Sequence, residues 1–223
     1  MGKIKSFLKS HPKLLSFVFS VFNAFPFNNS IKRKRSNKVV SKGMMQKCKI
    51  NFRGKNNVIE IKNGAILQNC TFNVSGNNNR IVIGEKAYAH FADFCTEDDN
   101  NSITIGDRTH LCGKIHLAAI EGTNIEIGED CLFSSEIVFR TGDSHSILDM
   151  SGSRINPSKN ISIASHVWIG HRVLINKGVS IAKNNIIGTG AIVTKNVVET
   201  NSVIAGVPAK VVKTNVNWDK ERK

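Results

Sequence analysis

The chain has 223 residues, 40% of them hydrophobic, so it can bury one substantial core. Its formal net charge of +14 lies at the N-terminal end, because residues 1–59 hold 14 Lys and Arg and no acidic residue, whereas the 17 basic residues that follow are balanced by 17 acidic ones. The five cysteines form no CxxC pair and are odd in number, which argues against a disulfide framework and against a zinc site. A reducing cytoplasm fits this cysteine usage.

Residues 1–47 form a basic N-terminal segment with an apolar run at 14–25. Pro12 lies just before this run, no small-residue cleavage site follows the run, and the run is shorter than the roughly 20 residues of a membrane-spanning helix. We therefore predict a short amphipathic helix, which could cover an open end of the fold or contact a membrane surface through the basic cluster 32–35. Nucleic acid is disfavoured as a partner because no recognisable binding module is present. The predicted apolar side comprises Phe7, Leu8, Leu14, Leu15, Val18, Phe19 and Phe22.

Residues 161–212 carry an aliphatic side chain at every sixth position, followed each time by a small or polar residue. This period fits neither a helix nor an ordinary strand, and it is typical of a β-solenoid in which each repeat forms one short strand and one turn. Residues two apart on a strand share a face, which adds Val167, Val173, Val179 and Ala191 to the inward set and turns Trp168 outward. The aliphatic series is Ile163, Ile169, Ile175, Ile181, Ile187 and Val193.

A longer repeat precedes it, with Ile61, Ile83, Ile105 and Ile127 separated by 22 residues each. Each interval is one coil, and its extra residues fall in the tracts 75–79, 96–101 and 120–124, whose Asn, Asp and Gly suit projecting corners. The sequence therefore predicts an all-β chain with one parallel β-helix over 48–208. It is interrupted by a loop at 140–160 and followed by a tail at 209–223.

The interrupting loop carries His145, flanked by Asp143, Ser144 and Ser146. These neighbours could hydrogen-bond one ring nitrogen and leave the other free as a base. A solvated loop histidine is the ordinary alternative, and spacing alone does not overturn it. We interpret His90, His110 and His116 as ordinary wall or turn residues.

The six-residue repeat, the HVWIG motif at 166–170 and the ending GTGAIVTKNVVETNSVIAGVPAKVVK resemble the hexapeptide-repeat acyltransferases. That family has a left-handed β-helix and includes maltose, galactoside, xenobiotic and serine acetyltransferases. Residues 142–218, with GDSHSI, RIN, HVWIG and AGVPAKVVK…NW, look most like bacterial capsular-polysaccharide O-acetyltransferases that modify sialic-acid-containing polymers. The resemblance covers the solenoid and fades in the N-terminal segment. It implies a cytoplasmic, acetyl-CoA-dependent O-acetyltransferase acting on a hydroxyl of a bacterial surface polysaccharide.

The resemblance also implies a homotrimer with active sites in clefts between subunits and no metal. In that arrangement His145 is the general base, and Trp168 and Asp143 position the acceptor and the acetyl group. His145 would take the proton of the acceptor hydroxyl as its oxygen attacks the thioester, and the imidazolium would protonate the departing thiolate. A backbone N–H near Gly170 is expected to stabilise the oxyanion.

The implied acetyl-CoA contacts combine small residues, which let the pantetheine arm approach the backbone, with cations for the phosphates. Where relatives have an arginine after the HVWxG glycine, this chain has His171 followed by Arg172. For any one of these residues, the alternative to an acetyl-CoA contact is a small residue in a tight turn or a cation on a solvated basic face. For the whole chain, the alternatives are an acetyltransferase for a small sugar or nucleotide-amino-sugar and a non-catalytic solenoid scaffold. The predicted contacts are Asp143, Ser144, His145, His171, Arg172, Lys177, Gly188, Gly190, Thr194, Lys195, Ala205 and Lys210.

Overall fold

The computed structural model describes residues 11–25 and 28–223, so the predicted helix residues Phe7 and Leu8 lie outside the described residues. The described residues form one helix, α1 (Pro12–Ala24), and 24 short strands. The first twelve strands are β1 (Ser30–Lys32), β2 (Lys38–Ser41), β3 (Met44–Gln46), β4 (Lys49–Arg53), β5 (Val58–Ile61), β6 (Ile66–Gln68), β7 (Thr71–Ser75), β8 (Arg80–Ile83), β9 (Tyr88–His90), β10 (Ala92–Glu97), β11 (Ser102–Ile105) and β12 (His110–Leu111). The others are β13 (Ile115–Ile120), β14 (Asn124–Ile127), β15 (Leu132–Phe133), β16 (Ile137–Arg140), β17 (Ile161–Ile163), β18 (Trp168–Ile169), β19 (Leu174–Ile175), β20 (Ser180–Ile181), β21 (Ile186–Ile187), β22 (Ile192–Val193), β23 (Val203–Gly206) and β24 (Ala209–Lys213).

Successive strands lie in three different sheets, so that each coil contributes one strand to every sheet, except the last coil, which has only an isolated bridge in place of a sheet B strand. Sheet A runs β1-β4-β7-β10-β13-β16-β19-β22, sheet B runs β2-β5-β8-β11-β14-β17-β20, and sheet C runs β3-β6-β9-β12-β15-β18-β21-β23-β24. Every neighbouring pair is parallel except β23 and β24, which are antiparallel. The predicted parallel β-helix is therefore confirmed.

The register stacks the predicted aliphatic residues directly on one another inside the prism. Ile61, Ile83, Ile105 and Ile127 are consecutive partners in sheet B, and Ile163 and Ile181 continue the column. All six predicted hexad positions and their second inward set are buried. Aromatic rings fill the same core, where Phe72 stacks on Phe94 with centroids 4.7 Å apart.

The Asn-rich corners have exposed residues at positive φ, as the composition predicts, including Asn78, Asp98 and Asn100, but these corners also contain buried asparagines. Asn57, Asn79 and Asn101 are almost fully buried, and each side-chain oxygen accepts a hydrogen bond from the backbone N–H of the residue stacked above it. The ladder continues to Asn37 at one end and Thr123 at the other. A buried corner leaves backbone groups without strand partners, and asparagine carries both the donor and the acceptor that they need.

The helix α1 lies on strand β3, at the end where the first coil would otherwise leave an open edge. The Asn23 amide donates to Gly43 O (2.8 Å) and accepts from the Met45 N–H (2.8 Å). The N-terminal boundary of the solenoid at residue 48 is too late, because β1, β2 and β3 pair in register with β4, β5 and β6. The pattern missed this coil because an end coil has few fully buried positions.

At the other end of the solenoid, β24 pairs with β23 at the edge of sheet C, and the tail that follows returns along earlier coils. The C-terminal boundary at residue 208 is therefore also displaced, since β24 (Ala209–Lys213) pairs with β23. Beyond it, Trp218 is 8% exposed and donates from Nε1 to His166 O at 3.0 Å. The tail thus packs back against the corner that precedes Trp168.

Candidate active site

The loop at 140–160 leaves sheet A after β16 and rejoins sheet B at β17. Stacked residues are 22 apart before this point, as in Ser102 and Asn124, and 36 apart across it, as in Asn124 and Asn160. The coil therefore closes in register around an extra excursion. A rigid scaffold that carries an irregular loop is a common way of building a functional site.

One buried side chain, Asn156, organises the base of the loop. Its amide nitrogen donates to Asp143 Oδ2 (2.7 Å) and to His145 O (2.8 Å), and its oxygen accepts from the Ile147 N–H (2.7 Å). Asn156 is 7% exposed, so these bonds are shielded from competing water. They connect one buried residue to the Asp143 side chain before His145 and to the backbone of His145 and Ile147.

The His145 side chain is exposed, and no hydrogen bond from its ring to another described residue is found. Asp143, which was expected to orient that ring, instead accepts from Asn156 and from the Lys177 ammonium. The hydrogen bond from Lys177, and then that from Asn156, hold the pKa of the Asp143 carboxyl below its ordinary value. The loop backbone therefore presents His145, while the pair of Asp143 and Lys177 closes the loop onto the next coil.

A second pair secures the far side of the loop. The Arg154 guanidinium contacts both oxygens of Glu121, at 2.8 and 3.1 Å, and the Ser158 hydroxyl donates to Glu121 Oε2 at 2.7 Å. The hydrogen bonds from Arg154 and Ser158 lower the pKa of the Glu121 carboxyl. At the same place Gly142 fits closely, because a Cβ there would lie 2.1 Å from Ser158 Oγ and 2.5 Å from Ile120 Cδ1.

Trp168 lies on the outer face of sheet C, as predicted, with 39% of its surface exposed. Its ring centroid is 6.2 Å from that of Trp218, which in turn stacks on His166 at 4.4 Å. The tail residue therefore supports one edge of Trp168, and the other surface stays open. An aromatic face of this kind suits a sugar ring, an acyl group or another protein surface.

The corner that follows Trp168 connects sheet C to sheet A and carries His171 and Arg172. His171 Nδ1 lies 2.8 Å from Ser135 Oγ, and Arg172 Nε donates to Glu136 Oε2 at 2.9 Å. In the next coil Gly190 occupies the same corner with φ of +72°, and nothing would contact a Cβ there within 4 Å. This corner is thus open where small residues were predicted.

Gly188 is a packing position, because a Cβ there would lie 3.0 Å from Ala205 Cβ. The oxyanion assignment near Gly170 is not supported for that residue, since the Gly170 N–H donates to Ile187 O (2.8 Å) in the sheet ladder. A donor already used by the ladder is not free for a substrate oxygen. Any oxyanion donor must therefore come from elsewhere.

The predicted site residues divide into two groups on different edges of the prism. The first group lies at the corner from sheet A to sheet B, and the second lies on sheet C and at the corner from sheet C to sheet A. Lys177 lies five positions after Arg172 along the intervening wall, or roughly 16 Å at about 3.3 Å per residue. The first group is Asp143, Ser144, His145, Lys177, Thr194 and Lys195. The second group is Trp168, His171, Arg172, Gly188, Gly190, Ala205 and Lys210.

Sequence reasoning missed Asn156 and Trp218 as contributors to the site. Both had a signal, because Asn156 is the last residue of the RIN motif and Trp218 ends the NW motif. Their partners lie 11 and 52 residues away, respectively, and depend on how the coils stack. No spacing rule for a loop or a tail predicts those contacts.

Comparisons with known proteins agree on one group of relatives. A polysialic acid O-acetyltransferase of Escherichia coli O1:K1 / APEC is 43% identical over 53 residues, which is 23% of this chain and 17% of that protein. A protein of the same description from Neisseria meningitidis is 39% identical over 64 residues, 28% of this chain and 29% of that protein. The aligned segments thus span less than a third of these curated relatives. No protein-family model matches the sequence.

Solved structures match over most of the chain. The crystal structure of the polySia-specific acetyltransferase NeuO is 31% identical, with a TM-score of 0.74, and the match covers 85% of this chain and 92% of that one. The polysialic acid O-acetyltransferase OatWY is 28% identical with a TM-score of 0.70, covering 88% and 90%. The match confirms the predicted left-handed parallel β-helix.

Proposed function

Because the chain belongs to the hexapeptide-repeat acetyltransferase family that includes the polysialic acid O-acetyltransferases, we propose that it transfers acetyl from acetyl-CoA to a hydroxyl of a bacterial surface polysaccharide. The acceptor class follows from the names of the relatives, which act on polysialic acid. The positive charge of residues 1–59 favours an anionic polymer of that type. We place the reaction in the cytoplasm.

The observation that carries this proposal is the presentation of His145 on a clamped loop. Asn156 holds the His145 carbonyl and the Ile147 N–H, and the exposed imidazole lies where a substrate can reach it. His145 accepts the proton of the acceptor hydroxyl while that oxygen attacks the thioester carbonyl. The imidazolium then returns the proton to the departing thiolate, so no covalent enzyme intermediate forms.

The active site is shared between two copies of the chain in a homotrimer. The loop with His145 and the corner with His171 and Gly190 lie on different edges of one prism, so they do not form a common cleft within one chain. A neighbouring copy can complete the cleft, because a cyclic assembly repeats the same edge-to-edge contact at each interface. The open corner at Gly190 accepts the pantetheine arm, and Trp168 faces the acceptor.

The catalytic assignment is tested with His145→Ala in an assay that follows release of free CoA thiol in the presence of polysialic acid. We expect turnover to fall at least about a hundredfold, which is the usual scale for a general base. His90→Ala, on sheet C three coils earlier, is the matched control and should retain activity. Near-normal turnover of His145→Ala would refute the role of this residue.

The shared site is tested by mixing two inactive chains. His145→Ala removes the base, and Ala205→Trp obstructs the second group of site residues. Homotrimers of either variant alone should therefore be inactive. If each site combines groups from two copies, random mixed trimers should regain about a quarter of wild-type activity. No recovery in trimers shown to be mixed would place both groups of one site on the same chain.

Trp168→Ala distinguishes an acceptor contact from an interface anchor. We expect a raised KM for the polysaccharide with the trimer intact, since the open face of Trp168 is not needed for its packing on Trp218. Dissociation of the trimer would instead make this residue an interface anchor.

Two further measurements address the alternative functions. A rise in melting temperature with saturating CoA separates an enzyme from a non-catalytic scaffold. Comparison of polymeric with monomeric sialic acid as acceptors separates a polysaccharide acetyltransferase from one acting on small sugars.

We also propose that α1 contacts an anionic membrane surface. Phe17, Val21 and Phe25 are 66, 50 and 62% exposed along the side of the helix that faces away from β3. The exposed basic cluster 32–35 follows the helix closely in sequence. An apolar face beside cations fits the interface of anionic lipids. Among the described residues, no helix is long and apolar enough to cross a bilayer.

A further inference from the structure

Three side chains with metal-binding atoms meet on the outer face of sheet A, and none of the three is among the groups that the proposed function uses. Asp93 and Cys95 are two apart on β10, so they share one face of the strand. His116 on β13 is the direct register partner of Asp93. The stacking of two consecutive coils therefore brings a carboxylate, a thiol and an imidazole together.

The distances within this cluster suit one shared ion. His116 Nδ1 lies 2.9 Å from Asp93 Oδ2, Cys95 Sγ lies 3.5 Å from the same oxygen, and all three donor atoms lie within 4.8 Å of one another. Tetrahedral zinc with bonds of about 2.0–2.3 Å holds such donors roughly 3.3–3.6 Å apart. Small side-chain rotations are sufficient to reach that geometry.

One carboxylate oxygen in the cluster lacks a hydrogen-bond partner within the described part of the chain and could bind a cation. Asp93 Oδ1 is buried and has no hydrogen-bond partner among the described residues. A carboxylate and a thiolate together would neutralise the charge of a divalent cation bound here. Oxygen, nitrogen and sulfur donors in one set favour zinc-like ions over magnesium or calcium.

A surface cavity of about 330 Å³ adjoins the cluster, and Asp93 and His116 form part of its lining, with Phe91, Lys114 and Glu136 around them. We propose that Asp93, Cys95 and His116 bind a zinc-type divalent cation whose fourth position faces this cavity. Three protein ligands and an open position leave room for water or a small anion beside Lys114.

Metal-stripped, full-length protein is titrated with Zn²⁺ against a chromophoric chelator and, separately, with Co²⁺ followed by absorption. We expect one ion per chain and a near-ultraviolet thiolate-to-cobalt charge-transfer band. Cys95→Ser should abolish the band, and His116→Ala should weaken Zn²⁺ binding at least about tenfold. Circular dichroism and the metal-free melting temperature show whether each variant is folded. His116→Gln replaces any variant that is not.

Cys112→Ser and His110→Ala are the matched controls, because these residues also lie two apart and facing outward, on the other side of the prism. Both should bind Zn²⁺ and Co²⁺ as the wild type does. The proposal is overturned if the wild-type chain binds no stoichiometric Zn²⁺. It is equally overturned if the Cys95 and His116 variants bind Zn²⁺ as the wild type does. The same holds if the Cys112 and His110 controls lose as much Zn²⁺ affinity as the Cys95 and His116 variants.

Discussion

Removing the Asn156 side chain should impair catalysis without unfolding the solenoid. Asn156→Ala eliminates its three short hydrogen bonds, to Asp143, to the His145 carbonyl and from the Ile147 N–H. At about 1 kcal/mol of net stabilisation for each bond, the ordered conformation of the loop is destabilised by up to about 3 kcal/mol. Since about 1.4 kcal/mol corresponds to a factor of ten, we expect kcat to fall between about tenfold and a hundredfold.

The assay combines acetyl transfer to polysialic acid with limited proteolysis of the loop. Asp149→Ala is the matched control, because Asp149 accepts three hydrogen bonds from Ser151 and Ser153 at the tip of the same loop, away from His145. We expect the control to keep most of its activity, and both variants to keep the wild-type melting temperature. If Asn156→Ala becomes sensitive to protease yet keeps wild-type kcat, the clamp does not position His145.

Three other predictions address stability, pH and membrane contact. Asn101→Ala leaves the buried Thr123 N–H and two part-buried carbonyl groups unpaired, so it should lower the free energy of unfolding in urea by about 2–4 kcal/mol. Asn77→Ala at an exposed corner should cost under about 1 kcal/mol, and equal losses would contradict the ladder. Because the pKa of Asp143 is lowered, its ionised carboxylate stabilises the folded loop fully above about pH 4, and this stabilisation is lost as the pH falls further. Pepsin should therefore cleave the loop increasingly below that pH, before the coils unfold. Phe17→Glu should reduce co-sedimentation with phosphatidylglycerol vesicles without altering the low binding to phosphatidylcholine. Phe91→Glu, at another exposed phenylalanine, should bind as the wild type does. Unchanged binding of Phe17→Glu would show that the helix does not contact the membrane.

The sequence was sufficient for the fold because the relevant signal is local and repeated. A six-residue spacing of Ile163, Ile169 and Ile175 specifies one buried side chain for each wall of a prism, and the structure buries all three. The position of the irregular loop follows from the same pattern, since it begins where the repeat ends. The repeat pattern did not predict the first coil, because an end coil is covered on one side only. Its strands therefore have exposed residues at positions where the pattern requires buried ones.

The partners of the site residues were decided by the tertiary structure. Asp143 was expected to orient His145, but it contacts Lys177, which lies 34 residues further along the chain and one coil away. Trp218 reaches His166 across 52 residues. Asp93, Cys95 and His116, the metal site that we propose, have no sequence spacing typical of such a site, and the cysteine spacing argued against one.

The physical reason is the parallel register. The alternation along each strand determines by itself which side chains point inward and which point outward, so the core and the outward Trp168 could be predicted from the chain alone. Which outward side chains meet depends on whether successive coils advance by 18, 22 or 36 residues. Those offsets arise from corners and from the inserted loop, so the contacts around His145 are a property of the assembled coils.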